Sequence, residues 1–257
     1  MKHLALSVHT YGTYRQLLLR TVKTSISSFI TGLDAKIVSL RTDSAGRLSV
    51  SLEGEDEEFA ANALAKQWGI APKLQDLSPG VVSRGWLVDI GKVGFGLYVD
   101  IGICVPQAID ALVPLYHVRE QFEMHDKSVR AIASKLVLVN DLPVEIRVTK
   151  VDAGKPTIEA QFTEFFLKRI TSWTSDDHER LIVLGVTKEM LEHALSKTRH
   201  LEDIFAVEQL GPFEYSLMCK RSTHASGIVA AIGPRLRGVP IHLFVPNNIR
   251  GEDHAST

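Results

Sequence analysis

The sequence predicts an α+β protein, a central five-stranded OB-fold barrel flanked by two ferredoxin-like units of βαββαβ order. Three observations predict it. Both ends of the chain alternate short β-periodic and helix-periodic stretches, the middle holds five short strand-like runs with a helical run between the third and fourth, and a polar Pro-Gly break separates the first unit from the second. The expected units are residues 1–76, 77–170 and 171–257.

In the first unit, Leu4, Leu6 and Val8 alternate with smaller or polar residues as in a strand. Tyr14, Leu18, Val22, Ile26, Phe29 and Leu33 then recur at three- and four-residue spacing, the stripe of an amphipathic helix. "KIVSLRTD" and "RLSVSLEG", joined by "SAG", read as a hairpin with Leu48, Val50 and Leu52 on one face. Acidic residues from Glu55 to Glu58 lead into the helix "EEFAANALAKQWG", which Gly69 ends, and "IAPKL" is expected to supply a last strand. "QDLSPG" marks the break, Gln75 to Gly80.

After it, "VVSRGWLVDI", "GFGLYVDIGI", "DALVPLYHV", "LPVEIRVTKV" and "PTIEAQF" read as strands, with "KSVRAIASKLVL" as the helix. A second boundary is expected near Lys168 to Asp177. In the last unit "RLIVLGV" is a strand and Thr187 caps the helix "TKEMLEHALSKTRH". "DIFAVEQLG" and "FEYSLMCKR" pair around Gly211-Pro212, "SGIVAAIGPRLRG" is a helix that Pro234 ends or kinks, and "VPIHLFVP" is a final strand. The tail "NNIRGEDHAST" is expected to fray.

Composition removes several function classes. The three units carry 9 Lys/Arg against 8 Asp/Glu, 11 against 11, and 9 against 11, so none is a basic surface of the kind that drives strong non-specific nucleic-acid binding. No apolar run reaches the roughly 20 residues of a membrane helix, and the N-terminus does not read as a signal peptide. Cys104 and Cys219 lie far apart and outside any Cys-x-x-Cys pair, which fits a reducing cytoplasm and opposes structural zinc. His193 and His200, or His3 and His9, lack the spacing or the carboxylates of a metal site, no nucleophile elbow occurs, and no cofactor is expected. Lys220, Arg221, His224, Arg235 and Arg237 read as a solvated face.

Gly91, Gly94, Gly96 and Gly102 surround Lys92 in "GKVGFGLYVDIG", which raises the question of a phosphate loop. Such a loop opens a helix, whereas Leu97 to Ile101 favour a strand, and no Gly-Lys-Ser/Thr follows. The phosphate-loop reading fails.

The stretches "RGWLVDI", "VGFGLYVDIG", "DALVPLYHV" and "LPVEIRVTKVDAGKPTIEAQF" together resemble the S-one domain, an OB-fold RNA-binding module. The resemblance implies base-stacking aromatics on the second strand, here Phe95 and Tyr98, and polar groups in the last hairpin, here Asp152 and Lys155. The third-strand position, often histidine in that family, is Pro114, with His117 as its substitute. Strict alternation places Phe95 inside with Leu97, Val99 and Ile101, and Tyr98 outside with Asp100; both face one ligand only if the strand bulges near Gly96.

Across its length the chain also resembles an uncharacterised archaeal family defined only as a domain of unknown function, through "VDIGKVGFGLYVDIGI", "DALVPLYHVREQ" and "CKRSTHASGIVAAIG". That resemblance implies a cytoplasmic protein linked to information processing. The expectation is a non-enzymatic RNA- or single-strand-binding protein in RNA metabolism, translation or transcription. The alternative is an adaptor that uses the barrel to bind a protein of that machinery; ligand sensing by the flanking units rests on fold analogy alone.

Overall fold

The computed structural model describes every residue except 44–45, 105–106, 153, 155 and 247–257. The expected frayed tail and Lys155 therefore lie outside the described residues. Strands fall into a three-stranded sheet, a closed five-stranded barrel and a four-stranded sheet, in that order along the chain.

The first sheet is built from β1 (Lys2–His9), β2 (Lys36–Thr42) and β3 (Arg47–Glu53), ordered β1-β3-β2 and antiparallel throughout. Its helices are α1 (Arg15–Phe29) and α2 (Glu57–Trp68). Leu18, Val22 and Ile26 of α1 and Ala60, Ala61 and Leu64 of α2 bury against Leu4, Leu6, Leu48, Val50 and Leu52. Phe29 does not join this stripe: α1 ends there and the ring is 46% exposed. Gly69 ends α2 with φ 72°, as its position suggests.

The expected last strand at "IAPKL" shrinks to one antiparallel bridge, Leu6 to Ile70. Ala71 still donates its N–H to Ala5, but Pro72 has no N–H to continue the ladder, and the chain turns into a short 3-10 segment, Leu74–Asp76.

The barrel comprises β4 (Val82–Val88), β5 (Gly96–Ile103), β6 (Ile109–Pro114), β7 (Pro143–Asp152) and β8 (Thr157–Phe162). Its order is β4-β5-β6-β8-β7, and it is closed rather than partly open. A parallel pair, Ala111 with Ile158 and Leu112 with Glu159, joins β6 to β8. Leu87, Leu97, Val99, Ala111, Val113, Ile146, Ile158 and Phe162 fill the interior.

Two helices, α3 (Leu115–Gln121) and α4 (Val129–Lys135), separate β6 from β7. The first was expected as strand. Pro114, with no donor to extend the β6 ladder, sits at the N-cap of α3 and turns "LYHVREQ" into helix.

A fifth helix, α5 (Glu164–Ser175), occupies the region expected to be a boundary. Thr163 caps it, accepting from the Phe166 N–H, and Phe166, Ile170 and Trp173 form its buried stripe. They extend the barrel core to the last sheet, where Trp173 meets Phe244 edge-on.

The last sheet contains β9 (Arg180–Leu184), β10 (Ile204–Gln209), β11 (Glu214–Cys219) and β12 (Ile241–Phe244), ordered β10-β11-β9-β12 and antiparallel. Ile182, Leu184 and Phe244 face the barrel core, while Leu181, Val183 and Leu217 pack with α6 (Lys188–Lys197) and α7 (Ala225–Ile232). Every residue of β9 is buried for that reason. Thr187 caps α6, and α7 gives way to a 3-10 turn containing Pro234. Among the described residues, no helix is long and apolar enough to cross a membrane.

Candidate nucleic-acid interface

The turn between β4 and β5 is shaped by backbone, not by a ligand-ready helix. Asp89 and Gly91 take positive φ, Lys92 donates its N–H to the Asp89 carbonyl, and the Lys92 ammonium sits 2.6 Å from the Asp89 carboxylate. Asn140 accepts from the Ile90 N–H, and Arg130 donates to the Gly91 carbonyl. A strand follows this turn, as the sequence indicates.

Phe95 lies just before β5 and escapes its alternation. Its carbonyl accepts from Leu115 N–H at 2.8 Å, so the backbone is already tied to the start of α3. The ring is 55% exposed and meets the half-buried Tyr98 edge-to-face, with centroids 6.1 Å apart and planes at 86°. The two aromatics share one side of the barrel.

No bulge at Gly96 is needed for this. Register is regular from Gly96 with Pro114 through Tyr98 with Leu112 to Val99 with Ala111, and the irregularity falls later, before Ile103. Gly96 serves a different purpose. A Cβ there would lie 2.5 Å from the Val113 carbonyl oxygen and 2.6 Å from a Leu112 methyl, so only glycine allows the two strands this approach.

The remaining expected residues are arranged differently. Pro114 is the last residue of the third strand and lies opposite Gly96, while Leu112 and Val88 lie opposite Tyr98 on its two sides. His117 is on helix α3 rather than on a strand. Its ring packs on Tyr116, centroids 4.3 Å apart, and its Nδ1 lies 3.8 Å from a Glu120 carboxylate oxygen. Tyr116 is 58% exposed, an aromatic that strand reasoning passed over.

Asp152 ends β7 opposite Thr157, and its carboxylate accepts from the Gly154 N–H at 2.9 Å. The structure thus brings Phe95 and Tyr98 together and puts Asp152 on β7, whose neighbours in the barrel are β4 and β8 rather than β5.

The other half of the β5 outer face is covered. Asp100, expected beside Tyr98 on the open side, is only 5% exposed because the first unit lies over it. Arg47 of β3 grips its carboxylate through Nε at 3.0 and 3.1 Å and through a second guanidinium nitrogen at 3.0 Å, and Gly102 N–H adds a bond at 2.8 Å. Burial opposes the charge on Arg47, but hydrogen bonding and the charge of Asp100 outweigh it and raise its pKa further. Burial, with Asp100 nearby, also raises the pKa of Asp110. Gly102 has φ 90° and a Cβ on it would lie 2.8 Å from that of Ala71, so its absent side chain is what lets the units meet.

Around the open half, signs of charge alternate: Lys92 with Asp89, and Lys150 opposite Glu159. Among the described residues, no group of three His, Cys, Asp or Glu side chains is arranged to hold a metal ion.

The solution structure of GSP13 from Bacillus subtilis is similar at 19% identity over 34% of this chain and 55% of that one, with a TM-score of 0.22. The chain thus spans about half the length of that protein. No curated protein matches. Family models match nearly the whole sequence: the DUF2110 N-terminal domain at residues 3–73, the DUF2110 central domain at 77–174 and the DUF2110 C-terminal domain at 178–243. With all three parts present and in order, the chain belongs to the DUF2110 family.

Proposed function

We propose that this chain is a non-enzymatic, cytoplasmic protein that binds RNA or another single-stranded nucleic acid through its barrel, acting in RNA metabolism, translation or transcription. The observation that carries the proposal is the Phe95–Tyr98 pair, two aromatic rings in contact on an open barrel face. Bases stack on such rings whatever their identity. In this reading the barrel is an OB-fold of the S-one type. The order β4-β5-β6-β8-β7 supports that, as does the Asp89 to Phe95 turn that leads into β5 beside the aromatic pair.

We read the flanks as ferredoxin-like. The last sheet has the order 2-3-1-4 in its own count, and the first has the same order with its fourth strand cut to Ile70.

The runner-up is a protein adaptor, favoured by the formal net charge of −1 and by the pairing of Lys92 with Asp89. Fluorescence anisotropy with a labelled single-stranded RNA, from about 50 to about 200 mM salt, separates the two. The RNA reading expects affinity to fall with salt and Tyr98→Ala to weaken binding by about 1–3 kcal/mol. Wild-type protein that leaves the RNA unbound at the lowest salt would decide for the adaptor.

A further inference from the structure

A trough lies at the β2 edge of the first sheet, while β1, at its other edge, is the strand packed against β5 of the barrel. Strand β2 is an edge strand with β3 as its neighbour, and α1 runs alongside without covering it. Between them is an open trough of about 690 Å³. Ile30, Leu33, Ile37 and Leu40 give it an apolar floor. Arg20 and Lys23 stand on the α1 wall and Lys36 on the β2 wall, all exposed, and among the described residues no acidic side chain lines it.

The charge is a property of the whole segment. Residues 14–42 hold Arg15, Arg20, Lys23, Lys36 and Arg41 against Asp34 alone, in a unit that is otherwise acidic. Lys36 has Glu53 at 3.9 Å, whereas Arg20 and Lys23 make no ion pair among the described residues. An apolar floor between cationic rims calls for an occupant that is apolar on one side and anionic on its flanks.

Length and edge chemistry narrow the occupant. From Leu19 to Ile30 the α1 wall runs about 17 Å, which matches three turns of a docked helix. From Ala35 to Leu40 the β2 wall has about the same length. An added strand is disfavoured, because β2 carries a bulge between Ile37 and Ser39 and places Lys36 and Arg41 on the edge. A second copy of this chain would set cations against cations. Nucleic acid would find no aromatic ring among the lining residues to stack on.

We propose that the trough between α1 and β2 docks an acidic amphipathic helix from a partner protein. Its apolar residues, spaced i, i+3 or i+4, and i+7, would enter between Ile30, Leu33, Ile37 and Leu40, and its carboxylates would meet Arg20, Lys23 and Lys36. This site is independent of the aromatic pair on the barrel.

The test uses the full chain and a displayed library of helical peptides about 12 residues long. Selection should enrich peptides with that apolar spacing and a net negative charge. The double variant Arg20→Glu, Lys23→Glu should bind them at least tenfold more weakly with unchanged melting, since both side chains are exposed, and Tyr98→Ala should bind them like wild type. No enrichment, or peptides whose binding ignores the charge reversal, would overturn the proposal. So would a wild-type dimer in sedimentation equilibrium that the double variant abolishes, which would assign the trough to a second copy. Loss of RNA binding in the double variant would assign it to nucleic acid.

Discussion

Glu214 offers a measurement of how the three units are joined. It starts β11, is fully buried, and accepts hydrogen bonds from the Tyr11 hydroxyl of the first unit at 2.8 Å and from the Phe213 N–H at 3.2 Å. Burial pushes its carboxyl from 4.5 up to about 7; the hydrogen bonds from Tyr11 and Phe213 pull it down, and Asp141 of the barrel unit adds repulsion. Asp141 is itself raised by burial, against the pull of His9, and burial next to Glu214 holds the Tyr11 hydroxyl protonated.

Between pH 4.5 and 7 the folded protein therefore holds a proton that the unfolded chain has released. The raised pKa stabilises the fold fully below the unfolded value, and that contribution is lost as pH rises through about 7. The shift corresponds to roughly 3 kcal/mol. Glu214→Gln removes the ionisation while keeping the shape, at the expense of one acceptor for the Phe213 N–H or the Tyr11 hydroxyl, about 1 kcal/mol.

Urea midpoints followed by circular dichroism at several pH values from about 5 to about 8 should show the variant weaker than wild type at the acid end and stronger at the alkaline end. A constant difference across that range would refute the reasoning, because it would mean that Glu214 does not exchange a proton there.

Arg47→Ala strands Asp100 under the first unit without its partner, and urea unfolding should register a loss of about 3–5 kcal/mol, part of it recovered by adding Asp100→Asn. Gly96→Ala forces a methyl against the Val113 carbonyl and Leu112, so thermal melting should report a loss of about 1–3 kcal/mol and RNA binding should weaken as Tyr98's neighbour shifts. Phe95→Ala should change stability by no more than about 0.5 kcal/mol, because the ring is more than half exposed. A large drop in melting would return Phe95 to the barrel interior.

What could be read from the sequence was local. Leu18, Val22 and Ile26 announce α1, and Leu48, Val50 and Leu52 announce the buried face of β3, because one periodic stripe decides each. Helix α5 carries an equally plain stripe, Phe166, Ile170 and Trp173 behind the Thr163 cap, in a region where the sequence reading sets a unit boundary, Lys168 to Asp177. Pro114 does end strand β6, but its missing donor stops the ladder there and starts α3, so His117 lies on a helix where the strand pattern of "DALVPLYHV" predicts a strand.

Strict alternation alone puts Phe95 inside, because it extends the pattern one residue beyond β5 into a glycine-flanked bend where it has no force, whereas the resemblance names Phe95 among the stacking aromatics. Contacts between units were illegible for another reason. Arg47 with Asp100 and Tyr11 with Glu214 are separated by 53 and 203 residues, and no periodicity links them. The covering of Asp100 halves the open face of β5, and only the assembled structure reveals it.

The proposed function rests on bases stacking on Phe95 and Tyr98. Ultraviolet cross-linking of the full chain to a single-stranded RNA, followed by peptide mass spectrometry, tests it most directly. Cross-links are expected on the peptide that carries Phe95 and Tyr98, lost in the Phe95→Ala, Tyr98→Ala double variant while its melting stays close to wild type. Cross-links confined to the flanking units, or none on that peptide at low salt, would contradict it.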